Sequence, residues 1–417
     1  MRMIFAAALI LSGLLPRANA ADGGTSNNRG WGLMGQADLF MGQYFYKDSA
    51  GSANGYVDLN LQQMKSFSSQ SGFFITERYN YTGFKQVNEL AGGGTLFQQS
   101  MEASLGAKWI RRFEGGYSLK PRLGVRSQFF RETRDEDWGK GLYDSSRYEA
   151  GLTWERKTRW GMSVPWTYQL SYDLYYTYYP RFSTLSSEFG AALASSDPGT
   201  HTLNTLTHQL SYRSEFDLPE FASAWVLGSV SMADFPDQKV VNSKGEYLDS
   251  KRSDSCLTLG TGYSKRFLDW QRLGRVRPTA GLGLTFSSLF SNQNNFDTDP
   301  NRLKFTAGYY NYWEARFSPN VSATFMKTQL GLSLGYDFAY RAYTGRLAQN
   351  ADASYTASTL HQYTHSILLE ASYPLLRSLD LKLRGLWSKS SSNNSYEQTY
   401  TYDYHSYNYF AGVSWKI

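Results

Sequence analysis

Long stretches in which every second residue is apolar dominate this chain. In GYSLKPRLGVRSQFF (116–130), Tyr117, Leu119, Pro121, Leu123 and Val125 alternate with Ser118, Lys120, Arg122, Gly124 and Arg126. In VPWTYQLSYDLYY (164–176), the apolar phase is Val164, Trp166, Tyr168, Leu170, Tyr172 and Leu174. In RVRPTAGLGLTF (275–286) it is Val276, Ala280, Leu282, Leu284 and Phe286, with Arg277, Gly281 and Gly283 in the other phase. The same pattern runs through 101–109, 148–154, 330–340 and 379–387. Period-2 alternation is the mark of a strand with one apolar and one polar face.

Several of these runs reach ~15 residues, against ~5–6 for strands of soluble domains. A β-sandwich or propeller would need shorter strands, and a propeller would show a repeat of ~40–50 residues, which is absent. Glycines such as Gly281 and Gly283 fall on the polar phase, where a tightly packed core has no use for them. Short connections are expected near 66–71, 111–116, 156–163, 216–221, 266–273, 326–329 and 374–378. Long polar ones are expected near 47–54, 83–95, 132–144, 181–203, 236–252, 291–303, 343–361 and 389–401. The alternation of short with long predicts an all-β fold, a transmembrane antiparallel up-and-down β-barrel of about 16 strands, with 14 or 18 as the neighbouring counts.

Composition agrees. Aromatics are 16% of the residues and mean hydropathy is −0.48, as expected where only alternate strand positions must be apolar. The N-terminus reads as a signal peptide over 1–20: a basic MRM, the apolar run IFAAALILSGLL, and Ala18-Asn19-Ala20 as cleavage site. Cleavage would remove Arg2 and Arg17 and lower the formal charge from +6 to +4, too little and too dispersed to suggest nucleic acid. A short segment, 21–30, then leads into a single barrel domain over 31–417. The single cysteine, Cys256, allows no intramolecular disulfide and is expected to pack.

The chain ends YNYFAGVSWKI, where Tyr409, Ala411, Val413, Trp415 and Ile417 form an apolar face that closes on the last residue. This C-terminus and the strand pattern resemble the outer-membrane β-barrel proteins of Gram-negative bacteria, in a porin-like form. The resemblance implies that Tyr409, Val413, Trp415 and Ile417 form the signal read by the barrel-assembly machinery, with Ile417 in place of the usual final aromatic. It also implies a wall in contact with outer-membrane lipid and lipopolysaccharide, and both termini in the periplasm. The short stretch before Trp31 leaves no room for a plug or periplasmic domain.

Catalytic motifs find no supporting context: the G-x-S-x-G spacing occurs in GLSLG (331–335), but inside the alternating run 330–340 and not at a strand-to-helix turn, and there is no H-E-x-x-H. His361 and His365 share a strand face but stand ~13 Å apart at strand rise, too far to hold one metal. His405 and Ser406 are neighbours and point to opposite faces. The acidic clusters RDEDW (134–138) and DTDPN (297–301) do not follow the EF-hand pattern. The chain is therefore read as non-enzymatic, without cofactor or metal.

The polar phase carries the candidate site. Lys120, Arg122, Arg126, Arg277, Lys382 and Arg384 form an expected basic lining, and Glu102, Glu149, Asp173, Glu314, Asp337 and Asp380 an acidic one. Facing each other across a lumen, they would set up a transverse field for polar or anionic solutes; salt-bridged together, they would suit a closed barrel. The connections 181–203 and 343–361 are the candidates for an inward-folding constriction. Two functions follow: a passive channel for small polar or anionic solutes, or a closed barrel serving as a partner or binding platform in an envelope complex or homo-oligomer. The tyrosine-rich stretch 172–182 divides by phase: Tyr172 and Tyr176 outward as an interfacial belt, Tyr175 inward.

Overall fold

All of the alternating runs are strands in the computed structural model. It describes residues 30–47, 52–87, 96–131, 137–161, 163–182, 201–267, 275–297, 299, 302–397 and 402–417. The expected signal peptide, most of segment 21–30 and most of connection 181–203 lie outside the described residues.

The strands are β1 (Trp31–Tyr46), β2 (Ser52–Ser68), β3 (Ser71–Val87), β4 (Leu96–Arg112), β5 (Tyr117–Arg131), β6 (Ser145–Trp160), β7 (Val164–Tyr178) and β8 (Thr205–Leu218). There follow β9 (Ala222–Val241), β10 (Tyr247–Arg266), β11 (Val276–Ser291), β12 (Asn295–Asp297), β13 (Lys304–Thr306) and β14 (Tyr312–Phe325). The last four are β15 (Leu330–Gln349), β16 (Tyr355–Leu376), β17 (Leu379–Ser392) and β18 (Tyr404–Lys416). β12 and β13 form a small hairpin, and the other sixteen close into one antiparallel barrel. Closure comes from β1 against β18, with Leu39 opposite Val413 and Met41 opposite Ala411.

The seven expected short connections all join strands at one end, together with the start of β1 and the end of β18. At the other, tall end two expectations change. Connection 236–252 shrinks to a turn at 242–246, and 343–361 to a turn at 350–354, because β9, β10, β15 and β16 extend to 20–22 residues. Gln349 still pairs with Tyr355. The segment 343–361 is thus mostly wall, and its candidacy as a constriction loop falls. Irregular pairing concealed these strands: register shifts between Tyr247 and Ser253 and between Ala342 and Gln349 break the alternation, and their inner face buries Arg252, Tyr343 and Leu360.

Register separates the two faces. Leu39, Leu123, Leu210, Leu259, Leu284, Leu334, Leu369 and Leu383 all stand in the phase of the large exposed apolar side chains. Aromatic girdles bound this outer face. At the short-turn end, Trp160, Trp166 and Phe216 contact one another at 5.3–5.9 Å between ring centroids. Toward the tall end, Tyr172 Oη lies 2.7 Å from His208 Nδ1, and Trp313 packs on Tyr340 at 5.1 Å. From Trp166 to Tyr176 the wall rises about 25 Å at ordinary strand rise and a tilt near 40°. One polar pair interrupts it, Gln63 Nε2 donating to Glu77 at 3.3 Å. No helix among the described residues is long and apolar enough to cross a membrane.

The buried apolar cluster lies inside the tall end, where Tyr343, Leu360 and Tyr402 pack with Tyr312. Sixteen strands spaced ~4.8 Å and tilted ~40° enclose about 30 Å between opposite backbones, too wide for wall side chains to fill.

Candidate functional site: the inner wall

β5 places Lys120, Arg122 and Arg126 on the inner face because Leu119, Leu123 and Val125 hold the outer one. Their partners lie sideways, not across the barrel. Arg126 Nη2 reaches Glu102 of β4 at 2.5 Å, and Lys120 Nζ reaches Glu155 of β6 at 2.5 Å. Arg122 donates to Thr153 of β6 at 3.0 Å and pairs with Asp173 of β7. The expected pairing across the lumen is corrected here, since a side chain covers only a fraction of a ~30 Å interior.

The same lateral pairing recurs around the wall. Arg78 meets Asp58 at 2.8 Å, Arg147 meets Glu149 at 3.7 Å, and Arg316 lies between Asp337 at 2.9 Å and Glu314 at 3.1 Å. Arg341 also reaches Glu314, at 2.9 Å. On β17, Arg384 pairs with Glu370 at 2.8 Å and stacks over Phe40, Lys382 faces Asp38 of β1 at 3.5 Å, and Asp380 receives Lys416 at 2.7 Å. Arg277 stands at the short-turn end of β11, opposite Thr324. Partly exposed pairs of this kind contribute ~0.2–1 kcal/mol each, so their main consequence is the field they leave in the lumen.

That field is uneven. Strand order puts β5 diametrically opposite β15. On the β15 side, Arg316, Arg341 and Arg384 offset Glu314, Asp337 and Glu370. On the β5 side, Lys108 has no carboxylate within ion-pair distance among the described residues, and its ammonium lies over Phe74 at 5.7 Å. It shares that face with Arg122, its register partner, and with Lys120.

Two inner-face glycines are required by close approach. A Cβ on Gly151 would stand 2.1 Å from Asp173 Oδ1 and 2.9 Å from Arg122 Nε, so only glycine lets this pair pass over β6. A Cβ on Gly262 would stand 2.4 Å from Trp225 Nε1, where the indole lies flat on the inner wall. Gly281 and Gly283 serve the same surface: Asn320 fills the space over the first, and the edge of Trp225 approaches the second. Gly151→Val should separate Arg122 from Asp173 and lower the thermal unfolding midpoint. In a double-mutant cycle with Asp173→Asn the two changes should couple by about 0.5–1 kcal/mol; simple additivity would show that the pair is not what Gly151 accommodates.

At the tall end arginines and tyrosines interleave. Arg346 lies 4.5 Å from the Tyr309 ring and 5.2 Å from that of Tyr343. Arg341 stacks on Tyr312 at 4.4 Å, and Arg252 on Tyr310 at 4.4 Å while pairing with Asp254 at 2.6 Å. Guanidinium-on-ring stacking tolerates burial better than an ammonium would. Tyr175 is inward, with Arg147 3.5 Å above its ring, whereas Tyr172 and Tyr176 stand in the outer phase and are exposed.

The small hairpin β12–β13 is tied down by Asp297, which accepts from Arg302 at 2.7 Å and Tyr355 at 2.8 Å. Burial works against this carboxylate, but those donors and the Asp299 N–H outweigh it and hold its carboxyl below the ordinary range. The tie is present above the unfolded value near ~4 and is lost as pH falls through the lowered folded value. Backbone exchange protection across 295–297 and 304–306, corrected for intrinsic rates, should drop in that acid window and should already be low at neutral pH in Asp297→Asn. Protection independent of both would remove Asp297 as the anchor.

Other expected features sit as follows. Asp137 is held by Lys140 at 2.8 Å, and the rest of the 134–138 cluster is largely outside the described residues. His365 faces outward with Nδ1 2.7 Å from Tyr336 Oη, and His361 lies outward beside Tyr340 and Tyr363. Cys256 is only half-buried and shares the inner face with Ser231, so it does not pack in a core. Tyr409, Val413, Trp415 and Ile417 lie on the outer face of the closing strand. Asp38, Asp58, Glu155 and Glu370 escaped the sequence reading. Following the outward phase of β6 one step past Trp154 would have found Glu155, and Leu39 and Met41 would have found Asp38.

No known protein family matches the chain by sequence, and no curated protein matches it. Among solved structures it aligns with outer-membrane expressed OmpT of Vibrio cholerae at 8% identity and a TM-score of 0.44, over 93% of this chain and 97% of that one. OccAB1 of Acinetobacter baumannii aligns at 10% identity and 0.43, over 92% and 97%. OpdQ of Pseudomonas aeruginosa aligns at 12% identity and 0.42, over 92% and 98%. The closed sixteen-strand architecture itself rests on this chain's own register.

Proposed function

We propose that the protein is a passive channel for small polar solutes, favouring anions, in the outer membrane of a Gram-negative bacterium. The short-turn end and both termini then face the periplasm, and the tall hairpins face outward. One observation carries this: arginines on the inward face remain solvated. The side chains of Arg78, Arg126 and Arg316 are 44–49% exposed although they point inside a barrel whose outer wall is apolar. Charges facing a closed, dry interior would be desolvated at a cost of several kcal/mol per ion, so the interior holds water. The outer wall requires hydrocarbon, and its girdles fit a bilayer.

The anion preference rests on the β4–β7 side, where Lys108, Lys120 and Arg122 lie together. The test is swelling of liposomes carrying the purified protein. Small neutral and anionic solutes should enter, and a disaccharide-sized anion faster than a cation of like size. Equal exclusion of all solutes would leave a closed barrel serving as an envelope partner.

A further inference from the structure

The inner wall of β9, β10 and β11 is uncharged over most of its height. Between 223 and 231 on β9, 256 and 264 on β10, and 279 and 287 on β11, no inward residue is acidic or basic. Serine, threonine and glycine predominate there, and one large ring lies among them, Trp225. In register, Glu215 of β8, Trp225, Gly262, Gly283 and Ser318 of β14 form a single row. Phe216 of the lower girdle adjoins Glu215, so this row crosses the lumen wall near the short-turn end.

Three glycines let the indole lie flat. Besides the clash at Gly262, a Cβ on Gly260 would stand 3.2 Å from Cζ3 of Trp225, and one on Gly283 would stand 3.9 Å from Cζ2. The ring therefore reaches from β9 over β10 toward β11, one face on the backbone and the other toward the lumen. Trp225 is only half-buried, and a ring laid on glycines removes little apolar area from water, so packing does not account for its posture. Polar groups flank it on both sides. Arg213 stands 5.8 Å from the ring centroid and donates through Nε to Glu215 at 2.6 Å, both side chains being 49% exposed. Beyond the glycines, Ser318 and Arg316 both donate to Asp337.

We propose that Trp225 is the platform of a lumen subsite for the pyranose ring of an uncharged saccharide. One face of such a ring carries only C–H groups and stacks on the indole, while its hydroxyls project around the rim. The rim meets groups that suit hydroxyls: Glu215 accepts, Arg213 donates, and Ser318 does both. An apolar surface with a few placed polar groups is the usual form of a small-molecule site. Charge selects among occupants. The Arg213–Glu215 pair is neutral as a unit, and the floor bears no charge, so a lone anion or cation gains nothing here that β4–β7 or the acidic residues do not offer better. An aromatic solute would stack but leave the rim groups without partners. The inference rests on the open, water-filled lumen of the channel reading and names one solute class for it.

The test is saturation-transfer NMR of maltotriose with the full-length protein, purified in an amine-oxide detergent that carries no sugar headgroup. Wild type should transfer saturation to the ring C–H protons. Trp225→Ala should raise the dissociation constant at least fivefold, and Trp225→Phe, which keeps an aromatic face, less than half as much. Gly262→Val, which lifts the indole off β10, should behave like Trp225→Ala, with gel migration still shifting on boiling in every variant. Sorbitol, which has the hydroxyls but no ring face, should not compete. Equal affinity in wild type and Trp225→Ala overturns the subsite, as does competition by sorbitol as strong as that by glucose. In a planar bilayer, maltotriose should interrupt the current through wild type and not through Trp225→Ala. Steady current without sugar binding would defeat the subsite alone; binding by barrels that pass no current would defeat the channel reading alone.

Discussion

Leu210→Arg should destabilise the barrel in a bilayer by about 1–3 kcal/mol, whereas Ser211→Arg, one residue away, should cost little. Leu210 is exposed on the outer face of β8 between Tyr172 and Val230, and lies between Phe216 of one girdle and His208 of the other. An arginine there enters hydrocarbon two residues short of the upper girdle. Ser211 faces inward between Ser171 and Ser229, where an arginine joins the solvated lining. Urea unfolding from lipid vesicles measures both. Equal costs would mean that the two faces do not see different solvents, and the membrane placement would fail with them.

The second large effect concerns selectivity. Arg122→Glu combined with Arg126→Glu sets new carboxylates beside Asp173 and Glu102, which have lost their partners. The β5 wall, opposite β15 across the lumen, would change from cationic to strongly anionic. The ratio of cation to anion permeability should rise roughly three- to tenfold, because a local potential of several kT changes sign. The reversal potential across a KCl gradient reads this directly. An unchanged reversal potential in a correctly folded barrel would take these arginines out of the conduction path.

Much of this architecture was legible because one rule governs it. Where one face meets lipid and the other water, period-2 alternation fixes strand, face and phase together, as along 117–126 and 164–176. The seven short turns and the inward or outward sense of Tyr172, Tyr175 and Tyr176 follow from it. The rule stops at the top of the apolar band. The upper parts of β9, β10, β15 and β16 carry register shifts and bury polar and aromatic side chains on their inner face, so they read as loop and 343–361 looked like a constriction.

Partner choice was also hidden. A list of inward residues gives the charges but not that Arg122 passes over Gly151 to Asp173 while Lys120 takes Glu155. Pairing depends on strand stagger, which sequence spacing does not carry. Trp225 shows the same limit: its indole lies on Gly262 of the adjacent strand, and only the register between β9 and β10 reveals why glycine stands there.

The central claim is a water-filled, conducting lumen inside an apolar wall. The most direct measurement is current through single barrels of the purified protein in a planar bilayer. The account predicts discrete conductance steps in KCl, with anions carrying the larger share. Silence at every voltage, from protein whose gel migration shows a folded barrel, would contradict it.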